Sequence, residues 1–269
     1  MKILITGASG FIGRALFKRL KDNFPIGISF NSKNKMSEFL TVDLRDNSQV
    51  KELFEAHTPN LVFHLAALTS PQRNEENKVL ATESNLLATK NIVQNLQAGS
   101  HLIFLSTDKV FDGSNSLPSE EDATNSEWIY GQLKIQAEEL IRNTIKRHHI
   151  LRLPIVHSMG DSNSGAFIDK ALINLKTGKK VNIFNNVERC YIRTNELITF
   201  LVKLKNDMNY GTYHLGSEMM SYFERVRMLS AENAINWKKI LIPCEGSASP
   251  MKQNLNTNKV KRIFNCSFS

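Results

Sequence analysis

Tyr130 and Lys134 lie four residues apart in a stretch, residues 127–147, that has the length and mixed composition of a helix. Residues at this spacing share one helix face, so the phenol and the ammonium come close together. An ammonium near a phenol lowers the pKa of the tyrosine toward neutral pH, which lets the pair give or take a proton at a carbonyl or an alcohol. The spacing alone is common by chance, and an exposed helical turn is the structural alternative.

Thr107 lies at the end of an apolar run, in the segment LSTDKVFDG at residues 105–113. Ligands of parallel α/β sheets bind at the carboxyl ends of the strands. Thr107 can therefore hydrogen-bond the same substrate oxygen that Tyr130 protonates. A simple strand-end cap is the alternative role for this threonine.

A glycine-rich segment, TGASGFIG at residues 6–13, follows the first apolar run and opens the next helical stretch. Gly7 permits a tight turn, Gly10 lets the backbone approach a pyrophosphate at the helix N-terminus, and Gly13 allows close packing of helix against strand. The spacing is GxxGxxG rather than GxGxxG. It predicts a dinucleotide site formed by this loop, whose residues are Gly7, Ser9, Gly10, Phe11, Ile12 and Gly13.

The end of the second apolar run, FNSKNK at residues 30–35, carries no acidic residue. An enzyme that uses NAD places a carboxylate there to hold the ribose hydroxyls. Ser32, Lys33 and Lys35 suit a 2′-phosphate instead, which favours NADPH (NADP) over NADH as the cofactor. A solvated lysine-rich loop is the alternative interpretation.

Apolar runs alternate with helical stretches through the first 153 residues. The runs are nearly continuous in Ile, Leu, Val and Phe, which is typical of strands buried on both faces by crossover helices. The predicted strands are 3–5, 26–30, 39–42, 61–65, 102–105 and 150–153, and the predicted helices are 11–21, 48–56, 83–97 and 127–147. This order predicts an α/β fold with a doubly wound parallel sheet of the Rossmann type.

The pattern loosens after residue 153, and the last third predicts a smaller C-terminal substrate lobe. We divide the chain into an NADP-binding domain at 1–155 and a substrate-binding lobe at 156–269, with the two possibly interleaved. The lobe is predicted to contain helices at 166–176, 194–205 and 221–234 and strands at 181–184, 212–215 and 240–242.

Composition narrows the class of protein. The 269 residues carry 34 basic and 26 acidic side chains, a net charge of +8 that suits phosphate-bearing small molecules. The basic residues are scattered and lack interleaved aromatics, so we expect no nucleic-acid partner. Three cysteines without ligand spacing, no signal-peptide pattern and no long apolar run predict a cytoplasmic protein without a bound metal or a membrane span.

Taken in order along the chain, these segments resemble the extended short-chain dehydrogenase/reductase superfamily, and within it the dTDP-4-dehydrorhamnose reductase family. The matching segments are the glycine loop, VDL at 42–44, HLAA at 64–67, Asn85, the Thr107 segment and YGxxK at 130–134. The resemblance implies that Asp43 and Leu44 border the adenine and that Ala66 and Ala67 border a cofactor ribose. It also implies that the catalytic residues are Thr107, Tyr130 and Lys134.

The substrate side departs from that family's pattern. Asp108 and Lys109 follow Thr107, where the family usually has Thr-Asp-Tyr and retaining dehydratases have Thr-Asp-Glu. Retaining dehydration is therefore not expected, whereas inverting dehydratases, which carry Thr-Asp-Lys, stay open. In the lobe, Arg189 or Arg193 suits a nucleotide diphosphate because a guanidinium matches phosphate oxygens. A surface salt bridge is the alternative role for either arginine.

The sequence thus predicts an NADPH-dependent reductase of a nucleotide-linked 4-keto sugar. An epimerase or dehydratase of sugar nucleotides is one alternative. A non-catalytic regulatory subunit that binds NADP and a partner enzyme is another, since some proteins that resemble this family have that role. The resemblance also implies a homodimer formed through the helices at 83–97 and 127–147.

Overall fold

The computed structural model describes residues 1–30, 38–158, 166–247 and 250–269. These residues form two compact units, between which the chain alternates. Unit 1 consists of residues 1–111, 123–152 and 198–213, and unit 2 consists of residues 112–122, 153–197 and 214–269.

The described strands, in chain order, are β1 (Ile3–Thr6), β2 (Ile26–Ser29), β3 (Phe39–Thr41), β4 (Leu61–His64), β5 (His101–Thr107), β6 (His148–Leu153), β7 (Ile155–His157), β8 (Val181–Phe184), β9 (Glu188–Arg189), β10 (Tyr191–Arg193), β11 (Gly211–His214), β12 (Met220–Ser221), β13 (Leu241–Cys244) and β14 (Lys252–Gln253).

The described α-helices are α1 (Phe11–Arg19), α2 (Asn47–His57), α3 (Pro71–Glu76), α4 (Lys78–Thr82), α5 (Ala88–Asn95), α6 (Ile129–Thr144), α7 (Phe167–Lys176), α8 (Thr194–Lys203), α9 (Tyr222–Glu232) and α10 (Asn258–Phe264).

Unit 1 is built on a seven-stranded sheet with the order β11-β6-β5-β4-β1-β2-β3. The pairs β1–β2, β1–β4, β2–β3 and β4–β5 are all parallel. Every residue of β1, β4 and β5 is buried, which agrees with the continuous apolar runs at 3–5, 61–63 and 102–105. The doubly wound α/β fold of the Rossmann type is thereby confirmed.

Helices α2, α5 and α6 cover this sheet through amphipathic faces. Their apolar side chains, among them Leu53, Ile92 and Ile141, share one core cluster with Val62 and Phe104 of the sheet. The sequence predicts a single helix over 83–97, but helical structure begins earlier, at α4, and continues into α5 through a π-helical turn, Glu83–Leu87. The π turn places Asn85 in the interior of the unit.

The strand predicted at 212–215 is present as β11, but it joins the large sheet of unit 1, an interleaving that the domain prediction allowed. Strand β11 is the edge strand of the large sheet next to β6, and residues 198–213 belong to unit 1. A short strand carries no sequence mark of the sheet it joins, because only long-range pairing decides between two sheets.

Unit 2 combines small sheets with helices. Strand β8 pairs in parallel with β13, and β10 pairs in parallel with β7. Helices α7 and α9 bury Leu172 and Val226 in one cluster with Ile183 of β8. Among the described residues, no helix is both long enough and apolar enough to cross a lipid bilayer.

Candidate functional site

Thr107 is the last residue of β5, and its side chain is buried. Its hydroxyl oxygen Oγ1 accepts a hydrogen bond from the Lys109 backbone N–H at 3.2 Å and donates one to Asp108 Oδ1 at 3.3 Å. Asp108 and Lys109 belong to the 3₁₀ turn Asp108–Val110 that follows the strand. The carboxyl end of β5 therefore holds a hydroxyl and a buried carboxylate side by side.

Tyr130 lies in the first turn of α6, and the neighbouring glycine brings this turn close to β5. A Cβ atom on Gly131 would lie 2.7 Å from Ser126 Cβ and would overlap the carbonyl oxygen of Lys109. Only a glycine lets the turn approach the Lys109 backbone so closely. The helix start is fixed from α3 as well, since Glu75 Oε1 accepts from the Ile129 N–H at 2.8 Å.

Lys134 lies one turn further along α6 and is 2% exposed. Its Nζ donates to the carbonyl oxygen of Leu105 at 2.8 Å and lies 4.2 Å from the centre of the Phe104 ring. Both acceptors belong to β5, so the lysine anchors α6 to the strand that ends in Thr107. The structure thus brings the three predicted catalytic residues together in unit 1.

The charge states at this site differ from the expectation that Lys134 lowers the pKa of Tyr130. Burial, together with the nearby Asp108 carboxylate, raises the pKa of the Tyr130 phenol above its usual value of 10.0. Burial lowers the pKa of Lys134 to about 7, although the carboxylate of Glu138 opposes this effect. Tyr130 is therefore protonated at neutral pH, as a proton donor requires.

The glycine loop between β1 and α1 has the close approaches that a dinucleotide loop needs. Gly7 has φ +67°, which glycine adopts without strain, and a Cβ there would lie 2.8 Å from the Ala66 nitrogen. A Cβ on Gly13 would lie 2.8 Å from Ala8 Cα, so this glycine permits helix and loop to pack tightly. Gly10 is the N-cap of α1, and Phe11 and Ile12 form the first helical residues.

The segment after β4 lies beside that loop. Thr6 Oγ1 accepts from the backbone N–H groups of Leu65 and Ala66, both at 3.2 Å, and contacts His64 Nδ1 at 2.9 Å. Burial lowers the pKa of His64 to about 3, so its ring is neutral. The predicted cofactor residues Ala66 and Ala67 thus follow a rigid, hydrogen-bonded strand end next to Gly7.

Ser9 connects the glycine loop to the end of β2. Its Oγ lies 2.8 Å from the Oγ of Ser29, the last residue of that strand. The predicted 2′-phosphate residues Ser32, Lys33 and Lys35 lie outside the described residues. Their role stays a prediction from the sequence.

The segment after β3 is divided between surface and core. The Asp43 carboxylate pairs with Arg45, whose NH2 lies 2.8 Å from Oδ2, and this hydrogen-bonded pair holds the pKa of Asp43 below its usual value. The Arg45 guanidinium lies 4.7 Å from the centre of the Phe30 ring. The Leu44 side chain is part of the core cluster of unit 1. Asp43 is accordingly the more accessible member of the predicted adenine pair.

The two arginines predicted to bind a diphosphate belong to unit 2. Arg189 is buried, and its guanidinium donates to the carbonyl oxygens of Pro250 at 2.7 Å and Met251 at 3.0 Å. Arg193 pairs with Glu232, with NH2 2.8 Å from Oε2. Both guanidinium groups therefore have intramolecular partners, and their contact with a diphosphate stays a prediction.

The sequence analysis did not identify Glu138, a buried charged residue one turn after Lys134 in α6. Glu138 is fully buried and pairs with Arg152, whose NH2 lies 2.8 Å from Oε2. The spacing 130, 134, 138 could have found it, because residues four apart on one helix continue the same face.

Fold and site together define the class: a parallel sheet with a glycine loop after β1, and Thr, Tyr and Lys around the end of β5, as in the extended short-chain dehydrogenase/reductase superfamily. The chain belongs to the family described as RmlD substrate binding domain, whose model matches residues 1–265.

Two named relatives illustrate the range of this family. Methionine adenosyltransferase 2 subunit beta of Rattus norvegicus is 30% identical over 234 residues, which are 83% of this chain and 69% of that protein. Spore coat polysaccharide biosynthesis protein SpsK of Bacillus subtilis is 27% identical over 254 residues, 93% of this chain and 86% of that protein. One relative is thus named as a subunit of an enzyme and the other as a biosynthetic protein.

Solved structures with the same fold hold nicotinamide dinucleotides or a nucleotide sugar. The dTDP-4-dehydrorhamnose reductase of Bacillus anthracis in complex with NADP has a TM-score of 0.86 at 22% identity, covering 100% of this chain and 94% of that one. The UDP-glucose 4-epimerase of Thermotoga maritima with UDP-glucose has a TM-score of 0.84 at 19% identity and the same coverage. MoeE5 in complex with UDP-glucose and NAD has a TM-score of 0.83 at 19% identity, again with that coverage.

Proposed function

We propose that this chain is an NADPH-dependent reductase that acts on the 4-keto group of a nucleotide-linked sugar. The observation that carries the proposal is the joint placement of Thr107, Tyr130 and Lys134. Lys134 is bonded to β5 two residues before Thr107, and Tyr130 lies on the same face of α6 one turn earlier. A hydroxyl, a phenol and a cation are the groups that the reduction of a carbonyl requires.

The three side chains have separate tasks in this reaction. Thr107 would exchange its 3.3 Å donation to Asp108 Oδ1 for a hydrogen bond to the carbonyl oxygen, which orients that oxygen. Tyr130 gives its phenolic proton to the same oxygen as the carbon is reduced. Its raised pKa suits this direction, because the phenol stays protonated at neutral pH until a more basic alkoxide develops. Lys134 in its ammonium form favours the resulting phenolate.

The residues around the glycine loop fit a dinucleotide. Gly7 and Gly13 leave the space that a Cβ atom would fill, and the N-terminus of α1 offers backbone N–H groups to a pyrophosphate. Asp43, Ala66 and Ala67 would border the adenine and a ribose, and Lys134 would bind the nicotinamide ribose hydroxyls. NADPH, when bound, supplies the hydride. Ser32 and Lys33 support the preference for the 2′-phosphate.

The proposed contacts with the substrate rest on the chemistry of the side chains and not on their geometry. Asp108 and Lys109 follow Thr107 directly and would contact the sugar. Arg189 and Arg193 would contact the diphosphate, which requires that each exchange a protein acceptor for a phosphate oxygen. The name of the relative SpsK supports a sugar-modifying role of this kind.

A screen of keto-sugar nucleotides tests the proposal. We expect one dTDP- or UDP-linked 4-keto sugar to oxidise NADPH with one mole consumed per mole of product. An epimerase or dehydratase with a retained cofactor would form product without net NADPH consumption, and this outcome would replace the reductase assignment with that alternative.

A regulatory subunit is the second candidate, because relatives include methionine adenosyltransferase 2 subunit beta. In that role the chain would bind NADP and a methionine adenosyltransferase catalytic subunit without chemistry of its own. Co-purification of the two proteins and a change in the catalytic subunit's kinetics would favour this function. The effect would persist in Tyr130→Phe, whereas reductase activity would not.

We also infer that the protein acts in the cytoplasm as a homodimer. The cytoplasm is where nucleotide sugars and NADPH meet. Helices α4 and α5 with the π turn between them, and α6, are the predicted dimer elements, and the exposed Val79 and half-exposed Leu87 on the first of these are available for packing.

A further inference from the structure

The helix that carries Tyr130 is capped by a residue of another element. Helix α6 is described along its whole length, and it has neither a side-chain cap at Trp128 nor an acidic residue in its first turn. The first N–H groups of a helix have no partner within the helix. Glu75 of α3 supplies an acceptor, since its Oε1 accepts from the Ile129 N–H at 2.8 Å. The carboxylate therefore binds the residue directly before Tyr130, at the helix end where negative charge is favourable.

Helix α3 is itself held in place by the buried residue next to Glu75. Asn74 is 0% exposed, and its Nδ2 donates to the carbonyl oxygens of Leu68 at 2.8 Å and Ser70 at 2.7 Å. Asn85, in the π turn, donates to Asn74 Oδ1 at 2.8 Å and accepts from the Leu68 N–H at 2.9 Å. A shift of α3 would break these buried hydrogen bonds, which is costly.

Neighbouring side chains of α3 thus hold two segments that the proposed reaction would use. Asn74 holds Leu68, which directly follows the predicted ribose contact Ala67. Glu75 holds the turn that carries Tyr130. The position of the proton donor relative to the cofactor segment therefore depends on α3.

We propose that Glu75 is a positioning residue that, through its hydrogen bond to the first turn of α6, holds the Tyr130 phenol where proton transfer needs it. The close approach of Gly131 to the Lys109 carbonyl limits the same turn by contact, and Glu75 adds a restraint by hydrogen bonding. The effect of Glu75 on turnover rests on the proposed reductase function, whereas the restraint on the helix start does not.

Hydrogen exchange at the start of α6 tests the restraint without any substrate. In wild type, the Ile129 amide should exchange slowly although a first-turn amide has no acceptor within the helix. In Glu75→Ala we expect its exchange, followed by NMR on ¹⁵N-labelled protein, to be faster by about 10-fold or more. Glu75→Gln keeps an acceptor oxygen and should stay within about threefold of wild type. A wild-type Ile129 amide that exchanges as fast as an unprotected amide overturns the proposal.

Turnover separates positioning from stability. Glu75 is only half-buried, so the alanine variant is expected to fold. With saturating NADPH and the substrate from the screen, Glu75→Ala should lower kcat by about 10- to 10²-fold, as a displacement on the order of 1 Å at a reacting group does. The Kd for NADPH should hold, and Glu75→Gln should restore most of the lost kcat.

Asp46→Ala is the matched control for the loss of an acidic cap. Asp46 caps α2 in the same unit, since its carboxylate accepts from the Ser48 and Gln49 N–H groups. Its removal should lower the urea midpoint by a similar amount and leave kcat unchanged. Wild-type kcat in Glu75→Ala, or an equal loss of kcat in Asp46→Ala, overturns the proposal. If Ile129 exchange responds as expected but no keto sugar is turned over, the reductase function fails and the restraint by Glu75 stands.

Discussion

Gly131→Ala is expected to damage catalysis more than stability. The new Cβ would lie 2.7 Å from Ser126 Cβ and would overlap the Lys109 carbonyl oxygen. Ordinary carbon contacts are about 3.5–4.0 Å, so α6 or the 105–113 segment must move by about 1 Å. The movement falls on the turn that carries Tyr130, directly opposite the residue that follows Asp108.

The magnitudes follow from that displacement. Overpacking costs about 1–3 kcal/mol, and the higher helix propensity of alanine offsets about 1 kcal/mol of this cost. We therefore expect a loss of roughly 0–2 kcal/mol in the free energy of unfolding, measured by urea denaturation. A displacement of about 1 Å at a reacting group costs about 10²-fold in turnover. NADPH oxidation with the substrate found in the screen measures that loss.

Two controls make the result interpretable. Gln136→Ala changes an exposed residue of the same helix and should keep both stability and turnover. Ser126→Gly/Gly131→Ala removes the side-chain overlap but leaves the overlap with the Lys109 backbone, so turnover should stay low. Wild-type turnover in Gly131→Ala would show that the close approach of α6 to Lys109 does not set the catalytic geometry.

Four further outcomes are expected. Tyr130→Phe should lower kcat by about 10²-fold or more while the Kd for NADPH holds, and full activity would contradict the proton-donor role. NADPH should bind more tightly than NADH, and Lys33→Glu should narrow or reverse this preference. Equal Kd values for the two cofactors in wild type would refute the predicted preference. Burial holds the pKa of His101 at about 3 and of His149 at about 4, so only the unfolded chain gains protons as the pH falls from about 6.5 to about 4. The free energy of unfolding should fall by about 1 kcal/mol per pH unit for each ring over that window. A urea midpoint that stays constant between those pH values would contradict this expectation. Light scattering should give about twice the 30.5 kDa chain mass, and a monomeric mass at micromolar concentration would exclude the dimer.

Strands buried on both faces were the most predictable part of the fold. The runs 61–63 of β4 and 102–105 of β5 are continuously apolar, which is typical of strands in a parallel sheet covered by helices. The start of α4 and the π turn at Asn85 were not predictable, since the turn depends on tertiary hydrogen bonds such as that from Leu68 N to Asn85 Oδ1. The sheet that β11 joins was not predictable for the same reason, because long-range pairing decides it.

The candidate site, like the fold, has features that the sequence was sufficient to predict and features that it was not. Helical spacing was sufficient to place Tyr130 and Lys134 on one face of α6, and the glycine pattern was sufficient to place a tight loop after β1. Charge states were not predictable in this way. The pKa of Tyr130 depends on burial and on Asp108, a residue 22 positions earlier in the sequence, which only the folded chain brings near. Pairwise spacing along one helix cannot include such a neighbour.

The Tyr130 hydroxyl decides between the two candidate functions, and Lys134 does not. A subunit that only binds NADP can still use an ammonium for the ribose hydroxyls, but it has no use for a proton donor. Burying the phenolic hydroxyl of Tyr130 removes it from water, which costs free energy on folding. Phenylalanine at this position would keep the ring packing and remove the polar atom. We therefore expect Tyr130→Phe to be at least as stable as wild type toward urea, because functional groups are often retained at a cost in stability. A marked loss of stability would make the hydroxyl structural, and its presence would then no longer favour the reductase over the regulatory subunit.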